Sequence, residues 1–142
     1  MKFGTLARAA LIAPLALGVI ACSPPCETAS TEAVDFQGGE VDGTKTTYES
    51  SNWEGPYLHF PGGKRYRIHH GLGTTPVAVL TYLAFDEHPL PGGNVSESAG
   101  NQSVIERVDD EVIVVRNDTC AEFWLRVVAL TRGAGGSDAG TD

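Results

Sequence analysis

Between residues 36 and 132, no stretch of ten or more residues places apolar side chains at i, i+3 and i+4, the spacing that one face of a helix requires. Short runs that alternate in polarity or are wholly apolar recur instead, separated by Gly, Pro, Asn and Asp clusters, and that pattern predicts strands. The expected fold is therefore all-β, a single antiparallel β-sandwich of about six to seven strands. The candidate strands are 45–50, 55–60, 65–70, 77–85, 103–108, 111–116 and 121–131.

Two pairs of candidates read as hairpins. With Pro61-Gly62-Gly63-Lys64-Arg65 as the connection, Phe60 would face Tyr66 and Leu58 would face Ile68, while His59 meets Arg67 and Tyr57 meets His69 on a polar face. Residues 104–108 and 111–115, joined by Asp109-Asp110, form the second pair, with a tight acidic turn. The runs 77–85 and 123–130 are apolar on both faces, so one face should fill the sandwich while the other is covered. The N-terminal segment carrying Cys26 and Phe36, or a second subunit in a homo-oligomer, would supply that cover.

His70-Gly71-Leu72-Gly73-Thr74-Thr75-Pro76, followed directly by the apolar run 77–85, is the most distinctive local pattern. Gly71 and Gly73 permit positive φ in a tight reversal, and Pro76 pushes Thr75 towards an extended conformation. This segment resembles those of small β-sandwich domains of the H-type lectin and phage tail receptor-binding kinds. The likeness implies an antiparallel sandwich of six or seven strands, often trimeric. No sugar-binding motif of those families can be placed on residues of this chain, so the resemblance is one of fold.

The N-terminus reads as an address. Lys2 and Arg8 precede an apolar stretch from Ala9 to Ile20 that is too short to span a bilayer comfortably, so residues 1–21 form an export signal. Leu17-Gly18-Val19-Ile20-Ala21-Cys22 resembles the bacterial lipobox. The resemblance implies cleavage before Cys22, lipidation of its thiol and acylation of its new amine. With Ser23 next to the cysteine, it also implies the outer membrane of a bacterial envelope. Each buried CH₂ contributes about 0.8 kcal/mol, and two or more acyl chains give a stable membrane anchor where one does not.

Lipidation of Cys22 would leave Cys26 and Cys120, and an exported chain meets an oxidising compartment, so a Cys26–Cys120 disulfide is expected. A catalytic thiol or a metal ligand would need a CxxC or neighbouring-His spacing that neither cysteine has. Residues 22–35 read as a lipidated tether, 36–132 as the β-sandwich body and 133–142, with four glycines, as a disordered tail. Ten Lys and Arg against eighteen Asp and Glu give a formal net charge of -8. Nucleic acid is thereby disfavoured as a partner, because phosphate neutralisation needs a basic surface.

Chemistry is sparse. His59, His69 and His70 fall short of a tetrahedral zinc set, and Asp109, Asp110, Glu111, Asn117 and Asp118 lack the spacing of a calcium loop. No nucleophile elbow, P-loop or dinucleotide fingerprint occurs, so no catalytic residue, metal or cofactor is assigned. The segment Asp86–Asn101 is the longest without a strand signal, and long loops often bind ligands. His88 and Asn94 within it, with Trp53 and Tyr57 as aromatic platforms, are the candidate ligand residues. The sequence therefore points to a lipid-anchored, non-catalytic binding module for a glycan or another surface ligand. A structural, oligomerising envelope lipoprotein and an envelope hydrolase assembled from distant loops are the alternatives.

Overall fold

A computed structural model of the chain describes residues 32–132, so the proposed signal, Cys22, Cys26 and the Gly-rich tail lie outside the described residues. Ten strands run in the order β1 (Val34–Phe36), β2 (Glu40–Val41), β3 (Thr47–Glu49), β4 (Leu58–Phe60), β5 (Arg65–His69), β6 (Ala78–Ala84), β7 (Val95–Glu97), β8 (Val104–Val108), β9 (Val112–Arg116) and β10 (Phe123–Leu130). One sheet has the order β1-β5-β9-β8. The other has the order β2-β3-β10-β6-β7, with β4 also paired to β10. The two sheets pack as a β-sandwich, antiparallel throughout except for the parallel β1–β5 pair.

Alternation within the strands builds the core. Tyr66 and Ile68 of β5, Ile113 and Val115 of β9, and Phe123, Leu125, Val127 and Ala129 of β10 are buried and pack into one cluster. Full burial of such side chains contributes about 1.5–3 kcal/mol each. The opposite face of β5 carries Arg65, Arg67 and His69, which meet acids on neighbouring strands. Arg65 Nε lies 2.7 Å from Glu106 Oε2, and Arg116 Nε donates to Glu106 Oε1 at 2.7 Å. His69 Nε2 donates to Asp35 Oδ1 at 3.0 Å beside Arg67, and the His69 hydrogen bond in particular holds the Asp35 carboxyl below its usual range.

All seven candidate strands are present. The three additional ones, β1, β2 and β7, have two or three residues each, too few to display a period. The segment Asp86–Asn101 accordingly contains β7 and ends in a 3-10 turn at Gly100–Gln102. The β8–β9 hairpin forms as expected, with a bulge between Ile105 and Arg107 that Glu106 occupies. Gly71 and Gly73 both adopt positive φ, at 64° and 74°.

The first hairpin does not form. β4 pairs with β10 in one sheet and β5 pairs with β9 in the other, so the chain crosses between layers at residues 61–64. Phe60 and Tyr66 do meet, their rings stacked at 6.2 Å, but they meet across the core and not along a ladder. His59 and His69 consequently lie on opposite outer faces of the sandwich. Residues 50–57 of the chain itself lie over the outer face of β10, Phe36 belongs to the far sheet, and the segment carrying Cys26 lies outside the described residues.

Two turns yield testable expectations. In the β2–β3 turn the backbone of Lys45 sits at φ 54°, where a Cβ is unfavourable, and its N–H donates to Asp42 O at 2.9 Å. Lys45→Gly should stabilise the domain by about 0.5 kcal/mol, the left-handed relief being partly offset by a more flexible unfolded chain. A rise in the urea midpoint is the measurement. In the β8–β9 turn, Asp109 Oδ1 accepts from the N–H groups of Val112 at 2.8 Å and Glu111 at 2.9 Å, which together with Arg107 hold its carboxyl low. A carboxyl depressed on folding contributes stability above its unfolded value and loses it as pH falls through the folded value. Asp109→Asn should therefore be less stable at neutral pH. It should also lose less than the parent when urea melts are repeated from about pH 5 down to about pH 2.

Candidate functional site

β3 and β4 lie end to end along one side of β10, pairing with its two halves, and residues 50–57 loop out between them. Ser50 carries the ladder a step further, its N–H donating to Val127 O at 2.9 Å and its Oγ accepting from Val127 N at 2.8 Å. The loop is then drawn over the outer face by Arg126, 1% exposed, whose Nε donates to Ser51 O at 3.0 Å. The guanidinium sits 4.0 Å from the Trp53 ring centroid and 5.6 Å from that of Tyr82. Its Nη2 lies 2.8 Å from Glu49 Oε2, an ion pair off the hydrogen-bond direction, and its Nη1 has no hydrogen-bond partner among the described residues.

A second loop braces the first. Tyr57 N donates to Glu87 O at 2.9 Å, and His88 Nδ1 donates to Glu54 O at 3.1 Å. Gly55, at φ 90°, presses so closely on Glu87 O that no side chain fits there. Tyr57 is 2% exposed, and burial pushes its hydroxyl above the ordinary value while the charge of Arg126 opposes the rise.

Between these loops and the β1–β2 crossing, at the lateral edge of the sandwich, opens a cleft of about 660 Å³. This falls within the range of small-molecule sites, about 300–1,000 Å³. Its apolar wall comes from Phe36, Tyr57, Leu58 and Trp124, and its polar wall from Ser50, Ser51, Asn52, His59, Glu40 and Glu87. His59 is fixed by Glu122, 2.8 Å from its Nε2, and its ring lies 5.0 Å from Trp124. The lining thus offers an aromatic surface, the Asn52 amide, an imidazole and two glutamates, while the hydroxyls of Ser50 and Ser51 are buried behind it.

The four residues nominated from sequence fare differently. Tyr57 lines the cleft. Trp53 stands beside it, but one face of its indole is taken by Arg126. His88 fastens the two loops together and does not line the cleft. Asn94 is exposed just before β7, at the far edge of its sheet, across β10 and β6 from the cleft. Trp124, Phe36, Glu40 and Glu87 escaped nomination, although the outward position of Trp124 in the alternation of β10 was a usable signal.

Other candidates are spent within the fold. His70 is fully buried, its Nε2 donating to Asp109 O at 3.0 Å and its Nδ1 accepting from Leu72 N at 3.2 Å. Asn117 is buried and Asp118 pairs with Arg116, so the suggested oxygen ligands are directed elsewhere. Among the described residues, no group of three or more His, Cys, Asp or Glu is placed to hold a metal ion. Cys120 is exposed in the turn before β10, while Cys22 and Cys26 are outside the described residues. No protein-family model matches the chain, and comparison with curated proteins and with solved structures finds no match.

Proposed function

We propose that this chain is a lipid-anchored protein of a bacterial envelope whose β-sandwich serves as a non-catalytic binding module, with the edge cleft as its ligand site. The observation that carries the reading is the partly exposed Trp124 ring, set in a concave surface beside the Asn52 amide, the His59 imidazole and two glutamates. This is the mixture that a glycan, with apolar ring faces and polar edges, requires. Glycan-array screening tests it: the parent should retain neutral or charged saccharides that Trp124→Ala does not, and silence of the parent across the array would remove the glycan reading.

The anchor rests on the resemblance of residues 17–22 to a lipobox. Loss of residues 1–21 takes Lys2 and Arg8 with it and leaves eight basic against eighteen acidic residues, a net charge of -10. Such a body is repelled by anionic lipid, so attachment would fall to the acyl chains. Cys22→Ser should release the protein from washed membranes, and unchanged sedimentation would contradict the anchor. Cys26 is the proposed partner of Cys120, tested by mass spectrometry of the alkylated, non-reduced protein.

A further inference from the structure

The charges around the cleft are one-sided. Glu40 and Glu87 line it, both exposed, and neither carboxylate has a hydrogen bond or ion pair among the described residues. No lysine or arginine lines it. Five of the six arginines in residues 36–132 are committed elsewhere: Arg65, Arg67, Arg107 and Arg116 meet Glu106, Asp35, Asp109 and Asp118 at the other sheet, and Arg126 lies beneath Trp53, while the sixth, Arg132, is exposed and does not line the cleft. The one cationic candidate in the lining, His59, already faces Glu122. A concave, partly apolar surface with unanswered negative charge concentrates cations and rejects anions. An ammonium group near Trp124 would gain a cation–π contribution as well.

We infer that the ligand of this cleft is a saccharide bearing free amino groups, an unacetylated hexosamine oligomer, whose ammonium groups answer Glu40 and Glu87 while a ring face lies on Trp124. The inference rests on the proposed function and narrows it. Three chemistries meet in the one ligand: an apolar ring face for Trp124, hydroxyls for the Asn52 amide, and positive charge for the two glutamates. A neutral glycan would use the first two and leave the carboxylates without a partner. An anionic one would be repelled.

The chain has two tryptophans, so Trp53→Phe leaves Trp124 as the sole indole reporter and keeps a ring over Arg126. Titrating this full-length variant with the glucosamine trisaccharide should shift Trp124 emission saturably. The N-acetylglucosamine trisaccharide, the same backbone with each ammonium replaced by a neutral acetamide, should bind at least about tenfold more weakly. Glu40→Gln and Glu87→Gln should each weaken the free-amine ligand by about three- to tenfold and leave the acetylated one unchanged, and added salt should act in the same direction.

Equal or tighter binding of the acetylated trisaccharide would overturn the charge assignment and leave the saccharide-binding module standing. Saturation by trilysine with silence from both saccharides would overturn the saccharide in favour of a basic peptide. No response to any of the three would overturn this inference, and a positive glycan array lost in Trp124→Ala would then still uphold the broader reading.

Discussion

Asn117→Asp is expected to destabilise the domain by about 3–5 kcal/mol, read as a fall in the urea midpoint at neutral pH. Asn117 is fully buried, where β9 ends and the chain turns towards β10. Its Nδ2 donates to Phe60 O and to Ala121 O, both at 2.9 Å. Its Oδ1 accepts from Thr119 N at 2.9 Å and from Thr119 Oγ1 at 2.7 Å. The amide therefore ties three segments together with all of its strong hydrogen-bonding capacity satisfied. An aspartate of equal size would turn two donors into an acceptor facing two carbonyls and would place a charge where water does not reach. Asn117→Ala should cost less, about 2–3 kcal/mol, because it strands polar groups without adding a charge. If the aspartate variant melted with the parent, the turn would not be held by this side chain.

Arg126→Ala carries the second large effect, about 2–4 kcal/mol, from the lost contacts of a buried side chain and its cation–π partners. Glu49, its ion-pair partner, is 41% exposed in its side chain and can recover water, which keeps the cost below that of a fully buried pair. Arg126→Met separates packing from charge. It retains an apolar stem under Trp53 and should lose only about 1 kcal/mol, since replacing a buried ionic group by a well-packed apolar one is often near neutral. The cleft offers a second readout: with Arg126 gone, Ser51 O loses its donor and Trp53 its support, so residues 50–57 should loosen. Faster amide exchange across that loop is the expected signature. A loop equally protected in the parent and the alanine variant would show that the β10 guanidinium does not hold it.

How far these features were legible from sequence follows from the range of the physics involved. Alternation assigns each side chain to a face, and it did so correctly for Tyr66, Ile68, Arg67 and His69. It does not name the neighbouring strand. The pattern Tyr57-Leu58-His59-Phe60 suits pairing with β5 as well as with β10, and the actual choice turns on the layer crossing at residues 61–64. Gly62 is part of that crossing, its backbone packed so tightly against Thr119 and Cys120 that a Cβ would collide. The cleft was the least legible feature. Its walls come from residues 36–40, 50–59, 87 and 124, which meet only after both sheets have formed. Arg126 was a visible oddity, a charge within the run Phe123–Leu130, but its explanation lay far away in the chain, at Trp53.

The position of β10 also bears on when the chain can fold. β10 is the last strand among the described residues, yet it pairs with β3, β4 and β6, with Val128 opposite Glu49. Until residues 123–130 have left the ribosome, that sheet lacks its central member, and three of its strands have no common partner. Folding of this sheet thereby waits for residues 123–130 and is dominated by pairings between distant parts of the chain, which form slowly. The same topology that makes the finished sheet depend on residues 123–130 would keep the emerging polypeptide open until they are available.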